Sequence, residues 1–217
     1  MQADFAQRIQ GAPRWPEPRP LMAFLQPVTL EGAHAALVPL SPEHLAGLQE
    51  ATRDGDLASL WYTAVPSPEG MAAEIERRLG LLAKDSMLPF TVLDAEGRVA
   101  GMTTYMNVDG ANRRVEIGST WYAKRVQRSA LNTECKLMLL THAFEALNCI
   151  AVEFRTHRLN TQSRRAIERL GAQLDGILRS HQISPNGSLR DTAVYSITAA
   201  EWPTVRAHLA FQLARPR

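Results

Sequence analysis

The loop over residues 124–134 carries the residue types that bind a phosphate group. Three cationic side chains lie close together in it, Lys124, Arg125 and Arg128, and the loop stands between a predicted strand and a long predicted helix. The first N–H groups of a helix have no partner inside the helix, and the helix dipole adds partial positive charge there. Such a helix start binds anions, and a diphosphate suits the charge of this loop. On charge alone, a solvated basic turn is the simpler interpretation.

The elements that position this loop follow from hydrophobic periodicity and turn residues. Strands are predicted over residues 28–40, with a break near Gly32, and over 90–93, 98–107, 114–122, 149–155, 173–183 and 191–197. Helices are predicted after the start signal Ser41-Pro42 and over 68–83, 132–147, 161–170 and 201–213. This order predicts a mixed α/β fold, in which a mostly antiparallel central sheet of about seven strands is flanked by helices and contains one local βαβ crossover.

Length, composition and charge exclude several classes of protein. The chain has 217 residues, of which 45% are hydrophobic and 21% are charged, so global disorder is excluded. No apolar run approaches the roughly 20 residues of a membrane-spanning helix. The net charge is only +2, without a run of like charges, so neither nucleic acid nor a membrane is an expected partner. The two cysteines, Cys135 and Cys149, are too few for a disulfide scaffold and are expected to be buried, and no metal site is expected.

The N-terminal residues differ in composition from the rest of the chain. Four prolines fall within residues 13–20, so residues 1–26 are predicted to be a Pro-rich tail and residues 27–217 a single domain. Residues 1–10 lack the charged start and apolar segment of a secretion signal, so a reducing cytoplasm is the expected compartment.

Several motifs occur in an order that points to one family. The loop before the long helix reads Gln127-Arg128-Ser129-Ala130-Leu131-Asn132 and continues with Thr133-Glu134. Downstream come Val152-Glu153-Phe154-Arg155, Asn160-x-x-Ser163, Leu170-Gly171-Ala172, a stretch over 191–197 and Glu201-Trp202. Over residues 28–200 this series resembles the GNAT (Gcn5-related) N-acetyltransferases, and most closely their RimJ/RimL-like branch. In that family a Q/R-x-x-G-x-G/A loop binds the pyrophosphate of acetyl-CoA.

The resemblance implies acetyl-CoA as the co-substrate and a set of residues around it. The implied contacts are Gln127, Arg128, Ser129, Ala130, Leu131, Asn132, Thr133, Asn160, Ser163 and Arg164. Both family glycines are replaced, by Ala130 and Asn132, although glycine there permits positive φ and a close approach of phosphate. The backbone N–H donors survive these replacements, and we expect a looser fit for which the charge of Arg128 compensates. For Arg164 a solvated basic face remains the alternative.

Glu116 is the candidate for the general base of acetyl transfer. Alternation along the predicted strand places it on the face opposite Val115 and Ile117, and the resemblance implies a carboxylate near this strand that acts directly or through a water. An ordinary glutamate on a half-exposed strand is the alternative. The backbone around Gly118 and Ser119 is the expected oxyanion donor, at a bulge that glycine permits.

The sequence defines the residues around the thioester of acetyl-CoA less well. Asn160 is expected to orient the pantetheine amide or the thioester; a turn residue is the alternative for it, and Thr161 or Ser163 is then a simple helix cap. Many family members carry a tyrosine where this chain has Ile167, so no general acid is assigned.

The expected function is an acetyl-CoA-dependent N-acetyltransferase. It moves the acetyl group from the CoA thioester to a primary amine, of a protein N-terminus or a small molecule, by direct attack. The alternative is a catalytically weak or inactive GNAT-fold module that binds CoA or another nucleotide, for which the lost glycines and the absent tyrosine argue. A homodimer through the tail or the C-terminal strands is left open.

Overall fold

The structure of the protein is a computed structural model that describes residue 24 and residues 26–55, 57, 61, 63 and 65–215. The predicted tail therefore lies outside the described residues except for Phe24 and Gln26. Phe24 is buried in the hydrophobic core, so at least this residue is anchored to the body of the protein.

The described chain builds one eight-stranded sheet. The strands are β1 (Leu30–Glu31), β2 (Ala35–Pro39), β3 (Met87–Asp94), β4 (Val99–Asp109), β5 (Arg114–Tyr122), β6 (Ala151–His157), β7 (Gln173–Ile183) and β8 (Leu189–Thr198). They are ordered β1-β2-β3-β4-β5-β6-β8-β7. All neighbours pair antiparallel except β5 and β6, which are parallel and joined by the predicted crossover.

The sheet has one strand more than the sequence predicted. The predicted strand over residues 28–40 is divided at Gly32 into the hairpin β1–β2. The carboxylate of Glu134 causes this division, because it accepts hydrogen bonds from the N–H groups of Ala33 and His34 in the turn. A Cβ atom at Gly32 would lie 2.5 Å from Cδ of Glu134, so a larger residue there would displace this carboxylate.

The helices agree with the predicted periodicity, with one exception. They are α1 (Leu45–Arg53), preceded by a 3-10 turn that Ser41 caps, α2 (Met71–Leu82), α3 (Leu131–Thr141), α4 (Thr161–Glu168) and α5 (Trp202–Ala214). The long predicted helix over residues 132–147 is α-helical only to Thr141 and continues as a π-helical turn, His142–Ala146. None of the helices in the described residues is long and apolar enough to cross a membrane.

The sheet separates two hydrophobic clusters. One contains Tyr105 and Ile117 together with α3 and α5, and the other contains Met102 and Trp121 together with α1 and α2. Successive side chains of a strand point to opposite faces, so β4 and β5 supply both clusters. This two-sided burial fixes the central strands in the middle of the fold.

Candidate active site

The central feature of the site is a gap between the two parallel strands. β5 and β6 pair through only three residues each, Arg114–Glu116 beside Ala151–Glu153. Beyond them β5 continues to pair with β4, and β6 continues to pair with β8, but no further pairing joins β5 to β6 in the described chain. The strands therefore diverge toward their carboxyl ends, and the edge of β5 from Ile117 onward faces the gap. In parallel sheets this is the place where ligands bind.

A bulge in β5 shapes this edge. Met102 pairs with Trp121 and Thr104 pairs with Gly118, so β5 contains one residue more than β4 between these pairs. Ser119, within the bulge, has a φ of 48°. The family resemblance implied a bulge at this position, which Gly118 permits, and such a bulge re-aims the backbone groups beside it.

The absence of a side chain at Gly118 leaves room for its neighbours on the same face. A Cβ atom at this position would lie 2.8 Å from Oε1 of Glu116 and 2.7 Å from Sδ of Met106. The absent side chain is therefore what leaves space for the Glu116 carboxylate at the narrow end of the gap.

Glu116 is a buried carboxylate and not an ordinary surface residue. It is only 5% exposed and is the last residue of β5 that pairs with β6. Its Oε2 accepts a hydrogen bond of 2.7 Å from Nδ2 of Asn107 and lies 3.5 Å from Nε of Arg155. Burial raises the pKa of Glu116 although Asn107 and Arg155 oppose the shift. A carboxylate with a raised pKa is suited to exchanging protons near neutral pH.

Asn107 was not identified from the sequence as a site residue. It lies at a second bulge, where two residues of β4 oppose one of β5, and its φ is 47°. Asparagine tolerates this left-handed conformation better than most residues. The available signal was the end of the predicted strand at this residue, which marks it as a turn residue but does not reveal its contact with Glu116.

The loop before α3 uses two of its predicted ligand residues to hold its own shape. Nε2 of Gln127 donates a hydrogen bond of 2.9 Å to the carbonyl oxygen of Tyr122. Oγ of Ser129 donates to the carbonyl oxygen of Val126 and accepts from the N–H of Leu131. Their side chains thus organise the loop from within.

The two positions where the family has glycine adopt ordinary helical geometry in this chain. Ala130 has φ −68° and ψ −24°, and Asn132 lies inside α3. The left-handed residue of the loop is Arg128, with a φ of 59°. The replacements by alanine and asparagine therefore introduce no backbone strain, and the looser fit stays a prediction that concerns only how closely a phosphate approaches their side chains.

The groups that the loop presents to a ligand are its backbone donors and two cations. Asn132 and Thr133 are in the first turn of α3, where N–H groups have no helical partner. The side chain of Thr133 is buried and accepts from Nη1 of Arg169, so only its backbone faces a ligand. Lys124 and Arg128 are exposed. Arg125 is instead paired with Asp94, which removes its charge from the predicted anion site.

The residues predicted on the other side of the gap start at the end of β6. Asn160 caps α4, because its Oδ1 accepts a hydrogen bond of 3.0 Å from the N–H of Ser163. The cap uses Oδ1, so its Nδ2 is the donor left for a ligand. Nε of Arg164 donates to the hydroxyl of Tyr195 at 2.7 Å, which holds this guanidinium against β8.

The comparison with known families agrees with this geometry. Residues 35–173 match the sequence profile described as the acetyltransferase (GNAT) domain. The chain belongs to the GNAT acetyltransferase family. This confirms the predicted enzyme class and fold, and proteins of this family use acetyl-CoA, the predicted co-substrate.

Individual relatives place the chain within the GNAT family. A protein of Bacillus subtilis (strain 168) named as a ribosomal N-acetyltransferase, YdaF, is 34% identical over 107 residues. The match covers 49% of this chain and 57% of that protein, so the chain spans little more than half the length of this curated relative. A GCN5-related N-acetyltransferase from Brucella melitensis is 33% identical, with a TM-score of 0.82 over 93% of this chain and 90% of that chain.

A third relative shares the fold. The structure of Mycobacterium smegmatis RimJ in complex with CoA-disulfide has a TM-score of 0.73 at 23% identity, over 87% of this chain and 96% of that chain. This similarity agrees with the fold that the sequence predicted.

Proposed function

We propose that the protein transfers the acetyl group of acetyl-CoA to a primary amine, of a protein N-terminus or a small molecule, by direct attack. One observation carries the proposal: a buried carboxylate with a raised pKa, Glu116, stands at the point where β5 and β6 separate. A gap with a free strand edge on one side and a proton acceptor at its narrow end suits an amine that attacks an extended thioester.

Glu116 takes the proton of the acceptor amine, directly or through a water. An α-amine has a pKa of about 8 and a lysine side chain one of about 10.4, so an α-amine needs less assistance near neutral pH. Asn107 and Arg155 hold the carboxylate by its Oε2, which fixes its orientation. The N–H groups of the β5 edge around Gly118 and Ser119 are the donors for the oxyanion of the tetrahedral intermediate.

The loop before α3 binds the pyrophosphate of the co-substrate. The N–H groups of Asn132 and Thr133 and the cations Lys124 and Arg128 supply donors and charge, and Asn160 supplies an amide donor for the pantetheine arm. A thiol has a pKa near 8.5, so the thiolate leaves without full protonation and no general acid is needed. The alternative of an inactive module loses one of its reasons, because Ala130 and Asn132 are unstrained.

The test is Glu116→Gln, with Glu76→Gln as the matched control. Glu76 is an exposed glutamate of α2, so its variant should retain wild-type activity. We expect Glu116→Gln to reduce kcat on an amine panel by about 100-fold, in the range of general-base catalysis. Its affinity for acetyl-CoA, measured by isothermal titration calorimetry, should be unchanged. An unaltered rate and pH profile would refute the base assignment, and CoA binding by the wild type without any turnover would favour the binding module.

A further inference from the structure

Arg190, the second residue of β8, differs from the arginines around it because it lacks an acidic partner. Its Nε donates to Oγ1 of Thr192 at 3.2 Å, and no carboxylate of the described residues lies within ion-pair distance of it. Arg158 and Arg179, in contrast, share the carboxylate of Asp191 at 3.2 Å and 2.8 Å. A half-buried guanidinium without an anion is costly unless a ligand supplies one.

Arg190 lies on the same face of the sheet as Glu116. Thr192, which it contacts, pairs with His157 of β6, and Glu153 of β6 pairs with Glu116. Paired residues point to the same face, and so do residues two apart in one strand, which relates all these side chains. Burial lowers the pKa of Arg190, and the charge of Glu116 on the same face opposes this shift.

The other arginines of this face already have acidic partners. Arg114 and Arg155 are bound to Glu153 at 2.5 Å and 2.9 Å, Arg155 also lies 3.5 Å from Glu116, and Arg114 pairs across the sheet with Asp109. A ligand carboxylate would give the guanidinium of Arg190 the same kind of partner.

On this basis, and resting on the proposed function, we propose that the acceptor amine carries a carboxylate, which Arg190 binds while Glu116 receives the proton of the amine. Arginine recognises a carboxylate through two parallel N–H donors, so it orients the acceptor as well as attracting it. The carboxylate belongs either to a free amino acid or to an acidic side chain near a peptide N-terminus; the chemistry of recognition is the same.

Acceptors matched in shape test the proposal. We would measure kcat/KM with acetyl-CoA for glutamate against glutamine, and for the peptide amides Ser-Glu-Ala against Ser-Gln-Ala, which separates the two sources of the carboxylate. The wild type should prefer the carboxylate member of one pair by at least about 10-fold. Arg190→Gln should remove this preference by lowering kcat/KM for the carboxylate substrate and leaving kcat/KM for the neutral substrate unchanged. Arg179→Gln, at an exposed arginine of β7, should retain the preference.

Each other outcome identifies a different error. If Arg190→Gln lowers kcat/KM equally for the charged and the neutral acceptor, Arg190 acts on Glu116 and not on the acceptor. If the wild type acetylates amines without preferring the carboxylate in either pair, the anion site is refuted and the proposed function stands. If the wild type acetylates no amine at all, although it binds acetyl-CoA, the proposed function itself is refuted.

Discussion

Replacement of Lys136 by methionine tests how strongly burial disfavours the protonated form of this lysine and so lowers the stability of the fold. Lys136 belongs to α3 and is only 6% exposed, and its Nζ donates to Oγ1 of Thr120 at 2.9 Å and of Thr103 at 3.3 Å. No carboxylate of the described chain forms an ion pair with it. Burial lowers the pKa of Lys136 from its ordinary value of 10.5 to about 8.

The lowered pKa determines the direction and size of the effect. The unfolded chain binds the lysine proton below pH 10.5 and the folded chain only below about pH 8, so this lysine makes the protein less stable as the pH falls between these values. Below pH 8 the loss is complete and amounts to about 3 kcal/mol at about 1.4 kcal/mol per pKa unit. Methionine has a similar volume and carries no charge, and Thr103 and Thr120 keep the 2.8 Å hydrogen bond to each other. Lys136→Met should therefore be more stable at pH 7 by about 1–3 kcal/mol, since the lost hydrogen bonds offset part of the gain.

Urea unfolding of the wild type and Lys136→Met at pH 7 and pH 9.5 gives the measurement. The advantage of the variant should shrink by about 2 kcal/mol at the higher pH, because Lys136 in the folded wild type is then mostly neutral and its burial no longer carries the cost of a charge. Lys84→Met, on an exposed lysine, serves as the control and should show no such change. A variant less stable than the wild type at pH 7, or a difference that does not depend on pH, would refute the reasoning.

Three further predictions concern stability and reactivity. Gly101→Ala should lower the free energy of unfolding by more than about 2 kcal/mol, since φ is 153° and a Cβ would collide with the backbone oxygen of β5; an unchanged urea midpoint would contradict this. Burial raises the pKa of Cys135 and Cys149 to about 12, so neither thiol should react with a disulfide reagent at pH 8 until urea is added. Arg78→Met should destabilise the protein by about 1–2 kcal/mol, because Glu74 then keeps only the exposed Arg77 as its partner and the buried hydroxyl of Thr104 loses the donor at 2.6 Å; equal thermal unfolding curves would exclude this.

Local sequence patterns predicted most of the fold. β5 and β7 have the predicted bounds, because alternation and flanking turn residues determine where a strand begins and ends. The division of the first strand was predicted only as a break, since the hairpin depends on Glu134, a residue about one hundred positions away. The π-helical turn at His142–Ala146 likewise has no local signal in the amphipathic pattern.

The candidate site was less accessible to sequence reasoning than the fold. Alternation placed Glu116 on the face opposite Val115 and Ile117, but its partners Asn107 and Arg155, and Arg190 on the same face, come from three other strands. Their convergence depends on the register between strands and on two bulges, which no local pattern reports. Lys136 shows the same limit: in an amphipathic helix a lysine is expected in solvent, whereas here it lies under the sheet.

The bulge in β5 lies between two buried ionisable residues, Glu116 and Lys136. It explains why the chain contains a buried lysine that lowers the stability of the fold. Glu116 lies on one face of β5, and Thr120, within the bulge, contacts Lys136 on the face that α3 covers. An apolar residue in place of Lys136 would stabilise the fold but would remove the hydrogen bond that Nζ donates to Thr120, a residue of the bulge in the stretch of β5 that borders the gap. Lys136→Met should therefore be more stable and also slower in acetyl transfer, the combination expected where a polar residue is retained for the geometry of a site. A variant that is more stable and equally fast would show that Lys136 has no part in shaping the edge of β5.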